Sequence, residues 1–269
     1  NALVIEEPAD ILNIKSDYIS YTAGFNHIVL QNLRRRLTVG LGIEHRTHKT
    51  RLLDFPFSLG QGYLNGKSTV VPIRFSQEWL ARDVDWTYNM NSMFSFGTNM
   101  LNATQTKTAV DTKFITWVLQ QRYTQSWHNN RLQFLGRLSL QLADSPLPVL
   151  EQLGLGGIST VRGYRENTLV RDQAVLGSME IRYGLLDPTM QTRYGRLYGA
   201  IFADYAHGWS KDIGPQPESL YSVGLGLIWS WQDQVQASIY WGHALHNPPQ
   251  RDSSVWQDQG FHIQLQATY

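Results

Sequence analysis

The feature that most constrains this sequence is a strict alternation of apolar and polar residues over ten or more positions in several segments. From Arg131 to Leu142, leucine, phenylalanine and glycine occupy every second position, and arginine, glutamine and serine fill most positions between them. Side chains that alternate with a period of two lie on opposite faces of a β-strand. A tilted strand needs about 9–11 residues to cross a membrane. The pattern therefore predicts long strands that have one apolar and one polar face.

The alternation, clean or noisier, predicts eleven strands. They are residues 18–29, 37–44, 70–80, 88–101, 112–123, 131–142, 174–184, 196–205, 221–231, 235–241 and 261–269. Some connections between them are short and others are much longer, as in outer-membrane barrels. Because single-chain bacterial barrels usually have an even number of strands, we expect either another strand near residues 2–5 or a chain that lacks the first strands of its barrel. We favour the second interpretation.

Composition agrees with a membrane barrel and excludes other classes. Lys and Arg total 23 and Asp and Glu total 22, so a net charge of +1 provides no basic excess for binding nucleic acid. Charged residues amount to 17%, whereas typical soluble domains have about 25%. No apolar run approaches the ~18 residues of a spanning helix, and without helices only a closed barrel satisfies the backbone in lipid. The absence of cysteine excludes thiol catalysis and cysteine-ligated zinc.

Tryptophans concentrate near the ends of the predicted strands. They are Trp79, Trp86, Trp117, Trp127, Trp209, Trp229, Trp231 and Trp241. Girdles of aromatic residues at both lipid–water boundaries are typical of outer-membrane barrels. We therefore expect the apolar faces of the strands to contact outer-membrane lipid. A soluble β-sandwich with tryptophan in its core is the alternative interpretation of the same pattern.

The alternation stops for about thirty residues between Ala143 and Ala174. Connections of more than ~15 residues without secondary structure are uncommon and usually functional. Four glycines, at positions 154, 156, 157 and 163, surround Arg162, which indicates tight backbone packing. An arginine inside a barrel needs a partner, because an unpaired desolvated guanidinium is costly. This segment is the main candidate for function.

Two motifs carry a resemblance to a known superfamily. Val161-Arg162-Gly163-Tyr164 resembles the VRGY motif of the Omp85 superfamily, and Phe202-Ala203-Asp204-Tyr205-Ala206 resembles its F-x-D-x-G-like motif, with alanine as the last residue. The five strands predicted after the loop and the aromatic terminus at Tyr269 follow the pattern of the same superfamily. The string from Val161 to Arg171 most resembles the two-partner secretion transporters of the TpsB/FhaC/ShlB type.

The resemblance implies an all-β fold, a transmembrane antiparallel β-barrel of sixteen strands, of which the last eleven or twelve are in residues 1–269. POTRA domains and the first strands would precede them. Residues 144–173 would form a loop that folds into the lumen and carries the VRGY motif. Arg162 would pair with Asp204, which shares the lumenal face of its strand with Phe202, and Tyr269 would be a C-terminal signal for the barrel assembly machinery. Further expected lumen-facing residues are Gln133, Arg137, Glu180 and Arg182.

The implied function is export of an unfolded partner exoprotein across the bacterial outer membrane, without nucleotide, cofactor, metal or catalytic residues. The mixed charge of the inward residues suits a conduit for an extended chain. Two alternatives from the same superfamily are a factor that inserts other barrels and the barrel of a protein with a fused passenger domain. A third alternative is an outer-membrane enzyme such as a phospholipase, but Ser139, Ser178 and Ser238 have no assigned histidine neighbour.

Overall fold

The computed structural model describes residues 14–58, 60, 62–106, 110–211, 215–232, 234–246 and 256–268. Its strands, in chain order, are β1 (Ile14–Gln31), β2 (Arg35–Leu52), β3 (Phe55–Pro56), β4 (Lys67–Arg82), β5 (Trp86–Thr98), β6 (Ile115–Trp127), β7 (Leu132–Ala143), β8 (Leu153–Leu155), β9 (Leu169–Arg171), β10 (Gln173–Gly184), β11 (Arg196–Trp209), β12 (Glu218–Trp231), β13 (Val235–Ala244) and β14 (Phe261–Ala267). A short helix, α1, spans Pro188–Tyr194. Among the described residues, the structure contains no helix that could span a membrane.

Eleven long strands form one antiparallel sheet in the order β1-β2-β4-β5-β6-β7-β10-β11-β12-β13-β14. Each strand pairs with the next long strand along the chain, while β3 pairs only with β2, and β8 and β9 form a separate hairpin. The prediction of an antiparallel, all-β barrel fold with eleven strands is therefore confirmed for the described part of the chain. The further strand considered near residues 2–5 lies outside the described residues, as does Tyr269.

Short and long connections lie at opposite ends of the sheet. At one end, turns of three or four residues join the strands (32–34, 83–85, 128–131 and 232–234), together with the segment that contains α1. At the other end the connections are long, and the longest extends from residue 144 to 172. This asymmetry is typical of outer-membrane barrels, which have short periplasmic turns and longer extracellular loops.

Several strands extend further than the apolar alternation indicates, whereas β5 ends before the predicted residue 101 and β6 begins after the predicted residue 112. The strand predicted at 37–44 is β2, which continues to Leu52. Its outward positions after Ile43 are His45, Thr47 and Lys49. An outer-membrane barrel has an apolar band only about 25 Å tall, whereas 18 residues extend to roughly 60 Å. The apolar pattern therefore marks the part of the strand that faces lipid, and the hydrogen-bonded strand continues beyond it.

All eight tryptophans singled out in the sequence lie at outward positions of their strands, in two bands. Five are near the short turns (Trp79, Trp86, Trp127, Trp229 and Trp231), and three are near the long loops (Trp117, Trp209 and Trp241). A sandwich would instead place such residues in its core, away from solvent. The two bands correspond to the two aromatic girdles of a membrane barrel.

The sheet curves around the segment 144–172. Glu151 pairs with Arg46 of β2, and twelve residues later the amide of Gly163 donates to Nε2 of His262 in β14 at 3.1 Å. These two strands are nine steps apart in the sheet order, or about 43 Å across a flat sheet. Twelve residues span about 40 Å only when fully extended, and this stretch turns at Gly156 and Gly157. A flat sheet could not make both contacts.

Candidate functional site

The segment 144–172 is an ordered loop on the inner face of the sheet. It begins with a 3-10 turn (Val149–Glu151) and contains the hairpin of β8 and β9, which the sequence pattern does not indicate. Gly156, Gly157 and Gly163 have positive φ angles, which L side chains rarely adopt. Because β8 and β9 pair with each other, the two ends of segment 156–168 lie side by side, and these residues form a compact tip.

Apolar packing seats the tip against the barrel wall. Val161 and Tyr164 are almost fully buried in a cluster with residues of the hairpin and the wall. The other members of this cluster are Leu155, Leu169, Ala174, Leu176, Ala206 and Leu220. Ala206, where the superfamily motif has glycine, is fully buried in the cluster. The small residue therefore lies where the loop is packed against β11.

Arg162 makes the central polar contacts of the tip. Its Nε and Nη2 donate to the two carboxylate oxygens of Asp204, each at 2.8 Å, and its backbone amide donates to Oδ2 at 3.0 Å. Ser178 donates from Oγ to Asp204 at 2.6 Å and accepts from Nη2 of Arg162 at 3.3 Å. The side chain of Asp204 is fully buried and that of Arg162 is 2% exposed. A bidentate, desolvated pair of this kind has a defined geometry as well as a strong charge interaction.

A second carboxylate, that of Glu180, also bonds Arg162 through Nη1. Arg182 donates from Nε to Glu180 at 2.6 Å, so this carboxylate joins two guanidiniums. The Arg162 guanidinium carbon lies 3.6 Å from the ring centre of Phe202 and 4.9 Å from that of Tyr240, within the range of cation–π contacts. Burial alone would lower the pKa of Arg162, but the hydrogen bonds and charges of Asp204 and Glu180 reverse the effect and raise it.

The tip also lies against the last strands of the sheet. Gly163 approaches the backbone of Gly242 in β13 so closely that a Cβ on Gly163 would lie 2.8 Å from the Gly242 carbonyl oxygen. The Tyr164 hydroxyl lies 2.9 Å from the carbonyl oxygen of His246 and 3.1 Å from that of Tyr221. Its position is therefore set by backbone groups on two elements.

The remaining predicted residues lie at different distances from Arg162. Arg137 is adjacent, because its Nη2 donates to the same Ser178 hydroxyl at 3.1 Å. Gln133 is nearer the short turns and lines a different cavity together with Arg182 and Gln236. The structure therefore brings Arg137, Glu180 and Arg182 to the arginine–aspartate pair, but not Gln133.

Several contacts of the loop are absent from the sequence predictions. Tyr240 and His262 occupy inward positions of strongly alternating strands, so the period-two pattern contained a signal for them. Arg165 pairs with Asp258 at 2.5 Å. Asp258 lies in an irregular segment and Glu151 in the 3-10 turn, so no period-two pattern indicates which way either side chain points.

Glu151 anchors the base of the loop to the opposite part of the wall. Its carboxylate pairs with Arg46 of β2 and lies 3.0 Å from Nη2 of Arg74 in β4. Both arginines also contact Glu44, at 3.3 Å and 3.2 Å. The amide of Gln141 in β7 donates to the Glu151 carbonyl at 2.9 Å. The Glu151 side chain is only 6% exposed, so the loop has a buried ionic contact at its base as well as at its tip.

Replacement of Glu151 by glutamine is expected to destabilise the protein by about 3 kcal/mol, because two partly buried arginines lose one of their two carboxylates. Thermal unfolding in detergent measures this change. Asp17→Asn is the matched control, since Asp17 and its partner Arg51 are 49% and 45% exposed and such pairs contribute about 0–1 kcal/mol. Equal unfolding temperatures for Glu151→Gln and the wild type would show that the contact does not stabilise the barrel.

Serine–histidine contacts are relevant to the alternative of an outer-membrane enzyme such as a phospholipase, which would need a serine beside a histidine. Ser178 bonds Asp204 and two arginines, and Ser139 and Ser238 have no histidine partner among the described residues. Two other serines do contact histidine: Ser16 with His48, and Ser219 with His207 at 2.8 Å. In the described part of the chain neither histidine bonds a carboxylate, and His48 instead contacts the Tyr63 hydroxyl at 2.5 Å. Within the same residues, no cluster of three or more His, Asp or Glu could hold a metal ion.

The family model of the haemolysin secretion/activation proteins ShlB/FhaC/HecB matches residues 8–228, which is most of the sequence. Among curated proteins, none matches the chain significantly in sequence. Two similar solved structures are those of CdiB from Escherichia coli, with a TM-score of 0.75 and 18% identity, and CdiB from Acinetobacter baumannii, with a TM-score of 0.70 and 15% identity. A third is BamA from Haemophilus ducreyi lacking POTRA domains 1–3, with a TM-score of 0.57 and 13% identity.

The alignments cover nearly the whole of this chain but only part of each known structure. They include 93% of the chain and 45% of the E. coli CdiB, 97% and 44% for the A. baumannii CdiB, and 94% and 53% for BamA. The chain thus spans about half the length of the structures that it resembles. At these identities the structural likeness concerns the fold.

Proposed function

Because the chain belongs to the haemolysin secretion/activation family ShlB/FhaC/HecB, we propose that it is part of an outer-membrane transporter that exports a partner exoprotein in unfolded form. Family membership and fold place the chain in the bacterial outer membrane. The observation that carries the proposal is the Arg162 loop, which lies inside the curved sheet and is bonded there to Asp204 and Glu180.

The arrangement supports a channel whose interior contains a loop that can be displaced. The wall needs no loop for its hydrogen bonding, because neighbouring strands pair with each other over most of their length. The loop is held instead by side-chain contacts at its tip and base, which can break without disrupting the strands. We therefore assign the Arg162–Asp204 pair the role of a latch that holds the loop in the lumen.

The polar interior also supports passage of an extended chain without nucleotide. Inward positions near the loop carry amides, hydroxyls and charges of both signs, among them Gln236, Ser238, Gln264, Arg137 and Glu180. Such groups hydrogen-bond a backbone without demanding a particular sequence. Folding of the exoprotein outside the cell would supply the driving force.

Reconstitution tests this proposal directly. We expect the full-length transporter in proteoliposomes to move the urea-unfolded exoprotein encoded beside it across the bilayer without ATP, measured as protection from added protease. The same exoprotein in its folded state is the control and is expected to stay accessible. If neither state becomes protected in vesicles that contain a correctly folded barrel, the transport proposal is wrong.

The likeness to BamA favours barrel insertion as the second candidate. In the same proteoliposomes, an unfolded outer-membrane barrel would then acquire the altered gel mobility of a folded one, faster than in empty vesicles. Fatty-acid release from the vesicle lipids would instead indicate the phospholipase alternative. The expected result is exoprotein protection without either of these two activities.

A further inference from the structure

A cavity of about 190 Å³ lies beneath the loop tip, between the tip and the wall. The tip contributes Ile158 and Arg162. Inward side chains from five strands complete it, among them Arg122, Arg137, Glu180, Arg182, Gln236 and Gln264. Its volume is several times the ~30 Å³ that one water occupies in the liquid, and its lining is mainly polar.

The charges around this cavity do not balance. Arg162 pairs with Asp204 and Glu180, and Arg182 pairs with Glu180. The carboxylates of Asp204 and Glu180 are therefore already paired with Arg162 and Arg182. Arg122 and Arg137 have no carboxylate within 4.0 Å in the described part of the chain. The group at the cavity thus consists of four guanidiniums and two carboxylates, and its formal charge is +2.

The two remaining arginines lie side by side. Arg122 in β6 and Arg137 in β7 are direct register partners, and both line the cavity. Like charges directly opposite each other on neighbouring strands destabilise a sheet. Arg137 donates to the Ser178 hydroxyl at 3.1 Å and to the Ser159 carbonyl at 3.4 Å, but neither acceptor carries a charge. Among the described residues, Arg122 has no hydrogen-bond acceptor.

We propose that this cavity is an oxyanion-binding site, in which Arg122 and Arg137 hold a phosphate, sulfate or carboxylate group. A planar guanidinium presents paired N–H donors that match the oxygens of these groups. The amides of Gln236 and Gln264 are available as further donors in the same cavity. One anion relieves the repulsion between the two arginines and neutralises part of the excess charge.

The occupant has two possible sources with the same chemistry. It is either a small free anion or a carboxylate side chain of a polypeptide in the lumen, and only the second source rests on the proposed transport function. Arg137 bonds the Ser159 carbonyl of the tip as well as Ser178 of the wall, so an anion that binds Arg137 acts on a residue that joins the loop to the barrel. Occupancy is thereby linked to the position of the loop.

Thermal unfolding of the full-length protein in detergent tests the site. At constant ionic strength adjusted with sodium chloride, sodium phosphate is expected to raise the unfolding temperature by about 2–4 °C with saturation, as for a ligand at roughly ten times its Kd. Arg122→Gln and Arg137→Gln are expected to abolish the shift. Arg36→Gln, at an exposed position beside a short turn, is the matched control and should retain it.

Two further measurements keep the test decisive. Calorimetric titration with phosphate is repeated on Arg122→Lys and Arg137→Lys, which keep the charge if the glutamine variants fail to fold. Lysine lacks the paired guanidinium donors, so weaker phosphate binding than in the wild type is expected, and unchanged binding in both lysine variants overturns the site. A glutamate-containing peptide amide and its glutamine counterpart are added as competitors. Competition by the glutamate peptide alone identifies polypeptide carboxylates as ligands, and its absence identifies a small anion. No saturable phosphate effect in the wild type, or an undiminished effect in both glutamine variants, overturns the site.

Discussion

Replacement of Arg162 by alanine is expected to reduce secretion at least tenfold while the barrel still folds and inserts. Within the described residues, the change leaves Asp204 without a salt-bridge partner and takes one of two arginines from Glu180. Removal of one partner of a buried pair typically costs ~3–5 kcal/mol, and each 1.4 kcal/mol is about a tenfold change in an equilibrium. The Arg162 side chain takes no part in the hydrogen bonds between strands. The lost free energy therefore weakens the attachment of the loop to the wall and leaves the sheet intact.

The measurement is exoprotein in the culture medium relative to folded barrel in the outer membrane. Asp204→Ala should have a similar effect, and the double variant should lose less than the sum of the single losses, because the two residues interact directly. Arg131→Ala is a matched control, since Arg131 lies 3.7 Å from Asp187 at a turn where both side chains are about half exposed. Undiminished secretion by both single variants would contradict the latch.

Replacement of Gly242 by valine is expected to displace the loop tip without any change of charge. A Cβ at this position would lie 2.6 Å from the Gly163 amide nitrogen and 2.8 Å from the Arg162 carbonyl carbon. These are backbone atoms, which cannot move aside by a change of rotamer. The tip must therefore shift away from β13, which strains the bonds of Arg162 to Asp204, and we expect secretion to fall at least tenfold.

Gly177→Val is the matched control for this substitution. Gly177 lies in β10, and among the described residues, apart from its chain neighbours, no heavy atom lies within 4 Å of the Cβ that a side chain would add there. Trypsin digestion of intact cells provides a second readout, because a displaced tip presents Arg162 and Arg165 to the protease. Equal secretion and equal digestion of the Gly242 and Gly177 variants would show that this close approach does not seat the loop.

The strand pattern was predictable because it depends on one local rule. Apolar residues at every second position face lipid, and this rule located all eleven long strands of the described sheet. It missed the polar half of β2 and the hairpin in the loop, where lipid does not dictate the residues. The rule also assigned an inward face to Glu180, although it did not indicate which side chain that carboxylate contacts.

The candidate site was predictable only in part. Resemblance to two motifs suggested Arg162 and Asp204 as partners, whereas Glu180 was expected only to face the lumen. The contact of Glu151 with Arg46 joins residues 105 positions apart, and no periodic pattern relates them. Such contacts depend on how far the sheet curves and on where the loop lies inside it.

By itself, the sequence determined the class of fold, the number of long strands in the described region and the face of each strand that meets lipid. The physical reason is that a lipid environment acts on every residue according to its own polarity. Only the tertiary structure decided which inward charges meet, because charge pairing depends on distances between segments remote in sequence. Curvature brings Asp204 and Glu180 to Arg162 and Arg46 to Glu151, and leaves Arg122 and Arg137 side by side.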